Sequence, residues 1–212
     1  MRSCIRCCLV LLLLSCAPLA GAATQPARPV VLLGDSLSAA HNIALTASWP
    51  VLLQARLQEM RPPRQLVNAS ISGETTASGL TRLPELLKRY RPALVMIELG
   101  ANDGLRGLPL DEIRDNLQTM IRDCRAADAR VLLLGIELPV NYGPQYRDGL
   151  RGIYAQLAHD NHAALVPFLL QSVALHPEWM QEDGLHPTAQ AQPRVLANVW
   201  PALAPVLAKL TR

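Results

Sequence analysis

Between Val30 and Lys209 the chain keeps switching texture, with short apolar runs alternating with longer stretches of helical spacing. The runs are Val30–Leu33, Gln65–Asn68, Ala93–Leu99, Arg130–Ile136 and Leu165–Leu169. Each is too short for a helix and too uniformly apolar for a strand with one wet face. Helical spacing of apolar residues fills Ala47–Met60, Gly79–Arg89, Asp111–Ala127 and Gly149–His162. Thr188–Lys209 reads as a last helix, bent or divided by Pro193, Pro201 and Pro205. Strands buried on both faces and separated by helices form βαβ units, which require a parallel sheet covered by helices on either side. The expectation is one three-layer α/β domain, with no repeat, low-complexity tract or linker dividing it. Chemistry on such a sheet gathers at the carboxyl ends of the strands.

The alternation starts only after residue 22. Arg2 and Arg6 precede an unbroken apolar run, Leu9–Leu14, and Ala20-Gly21-Ala22 closes the segment with small residues, the layout of a secretory signal peptide. The run is too short to span a bilayer. Residues 1–22 are therefore expected to be cut, and 23–212 exported to the periplasm or medium without membrane insertion. Leu13-Leu14-Ser15-Cys16 fits a lipoprotein cleavage box poorly, because leucine stands just before the small residue. Of five cysteines only Cys124 lies beyond the leader. No internal disulfide can then form, and Cys124, inside a helical pattern, reads as a small core hydrophobe. Of 20 basic side chains Arg2 and Arg6 leave with the leader, so 18 stand against 17 acidic ones. That balance, with no basic run, argues against nucleic acid as a partner.

Polar sequence follows the first three strands: "GDSLS", then "NASISGETT", then "GANDGLRG". "EDGLHP" precedes the last helix. Each alone is ordinary turn chemistry, since Gly, Asn, Asp and Ser all favour turns. Together they put onto one rim the parts that acyl transfer needs. Ser36 can act as nucleophile, His186 as base, and Asp183, three residues before it across Gly184, as the group orienting that base. The backbone N–H groups of Ser36 and Gly73, with the Asn102 amide, can stabilise an oxyanion.

These blocks make the chain resemble the GDSL-type, or SGNH, hydrolases. It carries Gly34-Asp35-Ser36-Leu37, Gly73, Gly100-Ala101-Asn102-Asp103 and Asp183-Gly184-Leu185-His186, in the family's order. "LPELLKRYRPALVMIELGANDGLRG", "ELPVNYGPQY" and "PEWMQEDGLHP" make it most similar to the periplasmic thioesterase I/lysophospholipase L1/arylesterase group. The resemblance implies a flavodoxin-like α/β/α fold with a five-stranded parallel sheet. It also implies no cofactor, and hydrolysis of small-molecule acyl esters and thioesters by Ser36, His186 and Asp183. The nucleophile elbow of α/β-hydrolases does not fit, since Ser38 stands where its second Gly belongs.

Two departures sit beside the site. The family often carries Gly where this chain has Ala40-His41-Asn42, and close relatives a second Gly where it has Ala101; both bear on substrate preference. Asp35 and Asp103 are read as backbone-bonding and structural residues. His159 and His162, on one predicted helix, gather no third ligand, and no metal is expected. Leu105, Leu108, Leu138 and Pro139, on loops after strands, are the candidate walls of an acyl groove. A carbohydrate or peptidoglycan O-acetyl esterase is the alternative, which the sparse aromatic residues disfavour. A monomer is expected.

Overall fold

The computed structural model describes residues 27–210. The proposed leader, with Cys4, Cys7, Cys8 and Cys16, lies outside them. Five strands, β1 (Val30–Gly34), β2 (Leu66–Asn68), β3 (Leu94–Glu98), β4 (Arg130–Leu134) and β5 (Ala164–Val166), form one sheet in the order β2-β1-β3-β4-β5. All four pairings are parallel. This is the doubly wound flavodoxin-like order, whose strand sequence reverses around β1 and β3.

Alternate side chains of each strand feed two separate cores. Val31, Leu33, Val95, Ile97, Val131 and Leu133 face helices α2 (Thr76–Tyr90), α4 (Leu110–Ala126) and α5 (Pro144–Asp160). Val30, Leu32, Leu94, Met96, Leu132 and Leu134 face α1 (Trp49–Gln58) and α6 (Gln192–Lys209). Strands with both faces dry need no polar alternation, which is why the apolar runs are continuous. Cys124 is fully buried in the first core, where its thiol is pushed up to about 12 by burial and by the Asp123 charge. It packs as a hydrophobe and is not a reactive thiol.

The structure corrects three details. The last helix is not divided: α6 runs unbroken from Gln192. Pro193 sits in its first turn, where no N–H partner is required. Pro201 and Pro205 lie one turn apart on the exposed face, so the carbonyls they leave unpaired face water, while Leu203 and Leu207 stay in the core. Second, β5 is three residues long and ends before Pro167; Leu169 and Leu170 pack as buried loop. Third, a short helix α3 (Ala101–Leu105) forms within the stretch read as loop and carries Asn102.

Candidate active site

Strand β1 delivers Ser36 to the sheet's carboxyl edge, two residues after the strand ends. The turn is tight because Gly34 lets other groups approach: a Cβ there would stand 2.6 Å from Glu98 Oε2 and 3.0 Å from Ser70 Oγ. Asp35 then folds back, its Oδ1 accepting the Leu37 N–H at 3.0 Å. Trp49, wholly buried on α1, donates its indole N–H to the Leu37 carbonyl and ties the turn to the core.

His186 arrives from a loop between β5 and α6 that closes on itself. Met180 bridges to Pro187, Gln181 N–H donates to the His186 carbonyl at 2.7 Å, and Thr188 N–H to the Trp179 carbonyl at 2.8 Å. Within this clamp Gly184, at φ 66°, turns the chain so that Asp183 faces back. Asp183 Oδ1 accepts the N–H groups of Leu185 and His186 at 2.8 and 3.0 Å, and its Oδ2 meets His186 Nδ1 at 2.7 Å. The other ring nitrogen, Nε2, stands 2.8 Å from Ser36 Oγ. Partial burial would raise the Asp183 carboxyl, but the bonds from Leu185 and His186 and the nearby imidazole bring it down to about 2. It is therefore an anion wherever a histidine base can work, and it orients the imidazole without taking its proton.

The residues expected to hold an oxyanion follow three different strands: Ser36 after β1, Gly73 after β2 and Asn102, on α3, after β3. Neither the Ser36 nor the Gly73 N–H donates to an acceptor among the described residues, and Gly73 holds a positive φ of 81°. Asn102 reaches the same segment, donating to the Glu74 carbonyl at 3.0 Å. Its amide is less free than the sequence suggested, because it also donates to Asp35 Oδ2 at 3.0 Å. Asp103, next in the chain, is wholly structural: its carboxylate caps α2 by accepting the Thr76 N–H and hydroxyl.

Sequence reasoning missed Glu98. It ends β3 opposite Gly34 in the sheet register and is completely buried. Its Oε2 accepts the Asp35 N–H at 3.1 Å and the Ser38 hydroxyl at 2.8 Å. Oε1 is buried and has no hydrogen-bond partner among the described residues, a costly place for a full carboxylate charge. Burial and the Asp35 charge push Glu98 well above 4.5. Burial likewise lifts Asp35 from 3.8 to about 6, against the bonds from Leu37, Glu98 and Asn102 that lower it. The available signal was a glutamate closing an otherwise apolar run, level with the Gly-Asp-Ser turn.

Beside Ser36 and His186 lies a cavity of about 80 Å³ walled by Leu105, Ile136, Leu138, Pro139, Phe168 and Leu185. Three of the four proposed groove residues thus line it. Leu108 does not: it sits beyond α3, where its carbonyl accepts the Tyr146 hydroxyl. Tyr142 braces the same helix through the Leu105 carbonyl. A larger cleft of about 650 Å³, lined by Arg125, Arg130, His162 and Lys209 among others, opens at the opposite edge of the sheet and holds no nucleophile beside a base.

Residues 32–193 match the GDSL-like Lipase/Acylhydrolase family. The chain is 49% identical over 181 residues to a Pseudomonas aeruginosa protein named esterase TesA, covering 85% of this chain and 90% of the relative. It is 42% identical, also over 181 residues, to thioesterase 1/protease 1/lysophospholipase L1 of Escherichia coli K12, covering 85% and 86%. The psychrotrophic esterase EstA from Pseudoalteromonas, solved in a form inhibited by monoethylphosphonate, superposes with a TM-score of 0.81 at 38% identity, over 85% of this chain and 99% of that one.

Proposed function

The chain belongs to the GDSL-like lipase/acylhydrolase family and is an ester hydrolase of it; we propose that it cleaves monoacyl esters and thioesters through Ser36, His186 and Asp183. One observation carries the reading: His186 lies between Ser36 Oγ at 2.8 Å and Asp183 at 2.7 Å, one ring nitrogen to each. In this reading His186 Nε2 takes the hydroxyl proton as Ser36 Oγ attacks the acyl carbon. The Asp183 anion holds the imidazolium that results. The carbonyl oxygen, now negative, is met by the N–H groups of Ser36 and Gly73 and by the Asn102 amide, which exchanges its bond to Glu74 for one to the oxyanion. His186 returns the proton to the departing alcohol or thiol, leaving Ser36 acylated. Water deprotonated by the same histidine then releases the acid.

The cavity walls support an acyl chain over an acetyl group. A space of about 80 Å³ holds roughly two or three water-sized groups. It can enclose the first few methylenes of a chain whose remainder runs out over Leu105 and Pro139. Each enclosed CH₂ is worth about 0.8 kcal/mol when the gain is expressed in the transition state, so two give roughly a tenfold rise in kcat/KM. Across p-nitrophenyl esters from acetyl to palmitoyl, kcat/KM should climb steeply over the first additions and level off past octanoyl. A lysophospholipid and an acyl-CoA should also be cleaved. Preference for acetyl over octanoyl would overturn this reading in favour of the carbohydrate O-acetyl esterase. The same proposal takes 1–22 as a leader and 23–212 as one exported domain; N-terminal sequencing of the exported protein should begin near Ala23, and a lipidated Cys16 would refute it.

A further inference from the structure

His41 is the residue of this site region that hydrolysis leaves unused. It lies on the turn after β1, within Ala40-His41-Asn42. Its ring lies against that of His186 in a tilted contact, with centroids 4.1 Å apart and planes 31° from parallel. The contact is built from all sides. The His41 N–H donates to the Ser36 carbonyl, its carbonyl accepts the Gln181 amide at 2.9 Å, and its Nε2 meets the Asn42 amide at 3.1 Å. Both neighbours, Ala40 and Asn42, hold left-handed φ values of 60° and 54°, which turn the ring back over His186.

Among the described residues, one group of three side chains brings metal-ligating atoms together, and it is His41, Asp183 and His186, with one atom of each within 4.8 Å of the others. Donors about 2.0–2.2 Å from a tetrahedral zinc ion stand roughly 3.3 Å from one another, so side-chain rotations of about 1–1.5 Å close the set. Two imidazoles and a carboxylate suit zinc or copper(II), and exclude the oxygen-seeking magnesium and calcium. His41 and His186 are half-buried and Asp183 is exposed, so an ion reaches them from solvent. Asn42 can present either its amide N–H or its carbonyl to His41 Nε2, and so accommodates the tautomer that frees Nδ1 for the ion.

We propose that His41, Asp183 and His186 form a site for a divalent transition cation such as zinc, and that filling it switches hydrolysis off. The binding part is independent of the catalytic reading; the switching part rests on it. His186 has no spare nitrogen: Nε2 faces Ser36 and Nδ1 faces Asp183. Coordination at Nε2 blocks proton transfer from Ser36, and coordination at Nδ1 displaces the proton that this nitrogen donates to Asp183. Either one silences the base without any covalent change, and a chelator reverses it.

Zinc chloride titrated calorimetrically into the exported Ser36→Ala protein, free of the cysteine-bearing leader, measures binding with the chemistry removed. His41→Phe in the same background keeps an aromatic ring and removes the nitrogen. Affinity at one equivalent should fall by about tenfold or more, because losing even the hydrogen-bonded support of a ligand costs ~10–100-fold. Equal binding by the two proteins would overturn the site. Histidine-ring NMR of the protein with His41 intact tests it without that variant: zinc should move the His41 and His186 signals first, and movement confined to His159, His162 and His176 would refute it. With Ser36 present, zinc should abolish p-nitrophenyl butyrate hydrolysis, EDTA should restore it, and His41→Phe should need about tenfold more zinc for half-inhibition. Zinc held at His41 and His186 with hydrolysis undiminished would overturn the switch and count against His186 as base, leaving the metal site standing.

Discussion

Asp35 and Glu98 meet beneath the nucleophile with both carboxyl groups wholly removed from water, though 63 positions separate them in the chain. Two like charges cannot both be carried there, so the pair keeps a proton, on Glu98, and Asp35 is left to accept from Asn102. An acid raised above its unfolded value stabilises the fold while protonated, and that contribution is lost as pH rises. For Asp35 the loss runs as pH rises from about 3.8 to about 6. Glu98, raised well above 4.5, loses its contribution in the same direction, and Glu98→Gln puts an amide that cannot ionise where the protonated acid stood. Its melting temperature relative to wild type should therefore improve steadily from pH 4 to pH 7. A difference that stays flat with pH would rule out the shared proton.

Ser36→Ala should fold as wild type, because among the described residues the one side-chain bond of Ser36 is to His186. Hydrolysis and labelling by a fluorophosphonate should both disappear. Labelling that persisted would point to a different nucleophile.

Asp183→Asn should keep its fold, since an amide oxygen can still accept the Leu185 and His186 N–H groups. It should lose about 10³–10⁴ in kcat through failure to hold the imidazole tautomer. The carboxyl of Asp183 lies lower in the folded chain, at about 2, than its ordinary 3.8. Its stabilisation is thus present above about pH 4 and lost as pH falls toward 2. Melts over that window should fall more steeply for wild type than for Asp183→Asn. Parallel curves would mean that the ion pair contributes nothing to the fold.

Asn102→Ala should lower kcat by about 10²–10³ by the same factor for butyryl and octanoyl esters, because an oxyanion donor acts at the carbonyl and not along the tail. A loss confined to the longer ester would make Asn102 part of the groove wall.

Ala40 holds φ 60°, a conformation that penalises any side chain with a Cβ. Ala40→Gly relieves about 1–2 kcal/mol of strain and gives back part of it through the freer unfolded chain, so a net gain of roughly 0.5–1 kcal/mol is expected in urea melts. A loss of stability would show that the surrounding turn has absorbed the strain.

What was readable in the sequence was local. Ser36 sits inside Gly-Asp-Ser-Leu and the Asp183–His186 contact is closed by one turn, so each lay within a few residues of its own signal. Glu98 was invisible because its meaning depends on the register that sets it opposite Gly34, a relation between strands rather than within one. Leu108 was placed in the groove because it follows a strand at the catalytic rim, but it lies past the end of α3 and does not line the cavity. The prolines of α6 misled for a similar reason: a break is harmful only where the freed carbonyl is dry, and Pro201 and Pro205 face water.

The 150 positions between Ser36 and His186 carry a consequence for the life of the molecule. The proposed nucleophile, Ser36, follows the first strand, and its proposed base, His186, lies on the loop before the last helix. A ribosome-bound or half-folded chain therefore has one without the other. It is born inert, like a lock whose key is cut last. The first appearance of turnover after dilution from denaturant marks closure of the whole sheet, so hydrolysis can time the folding of this chain.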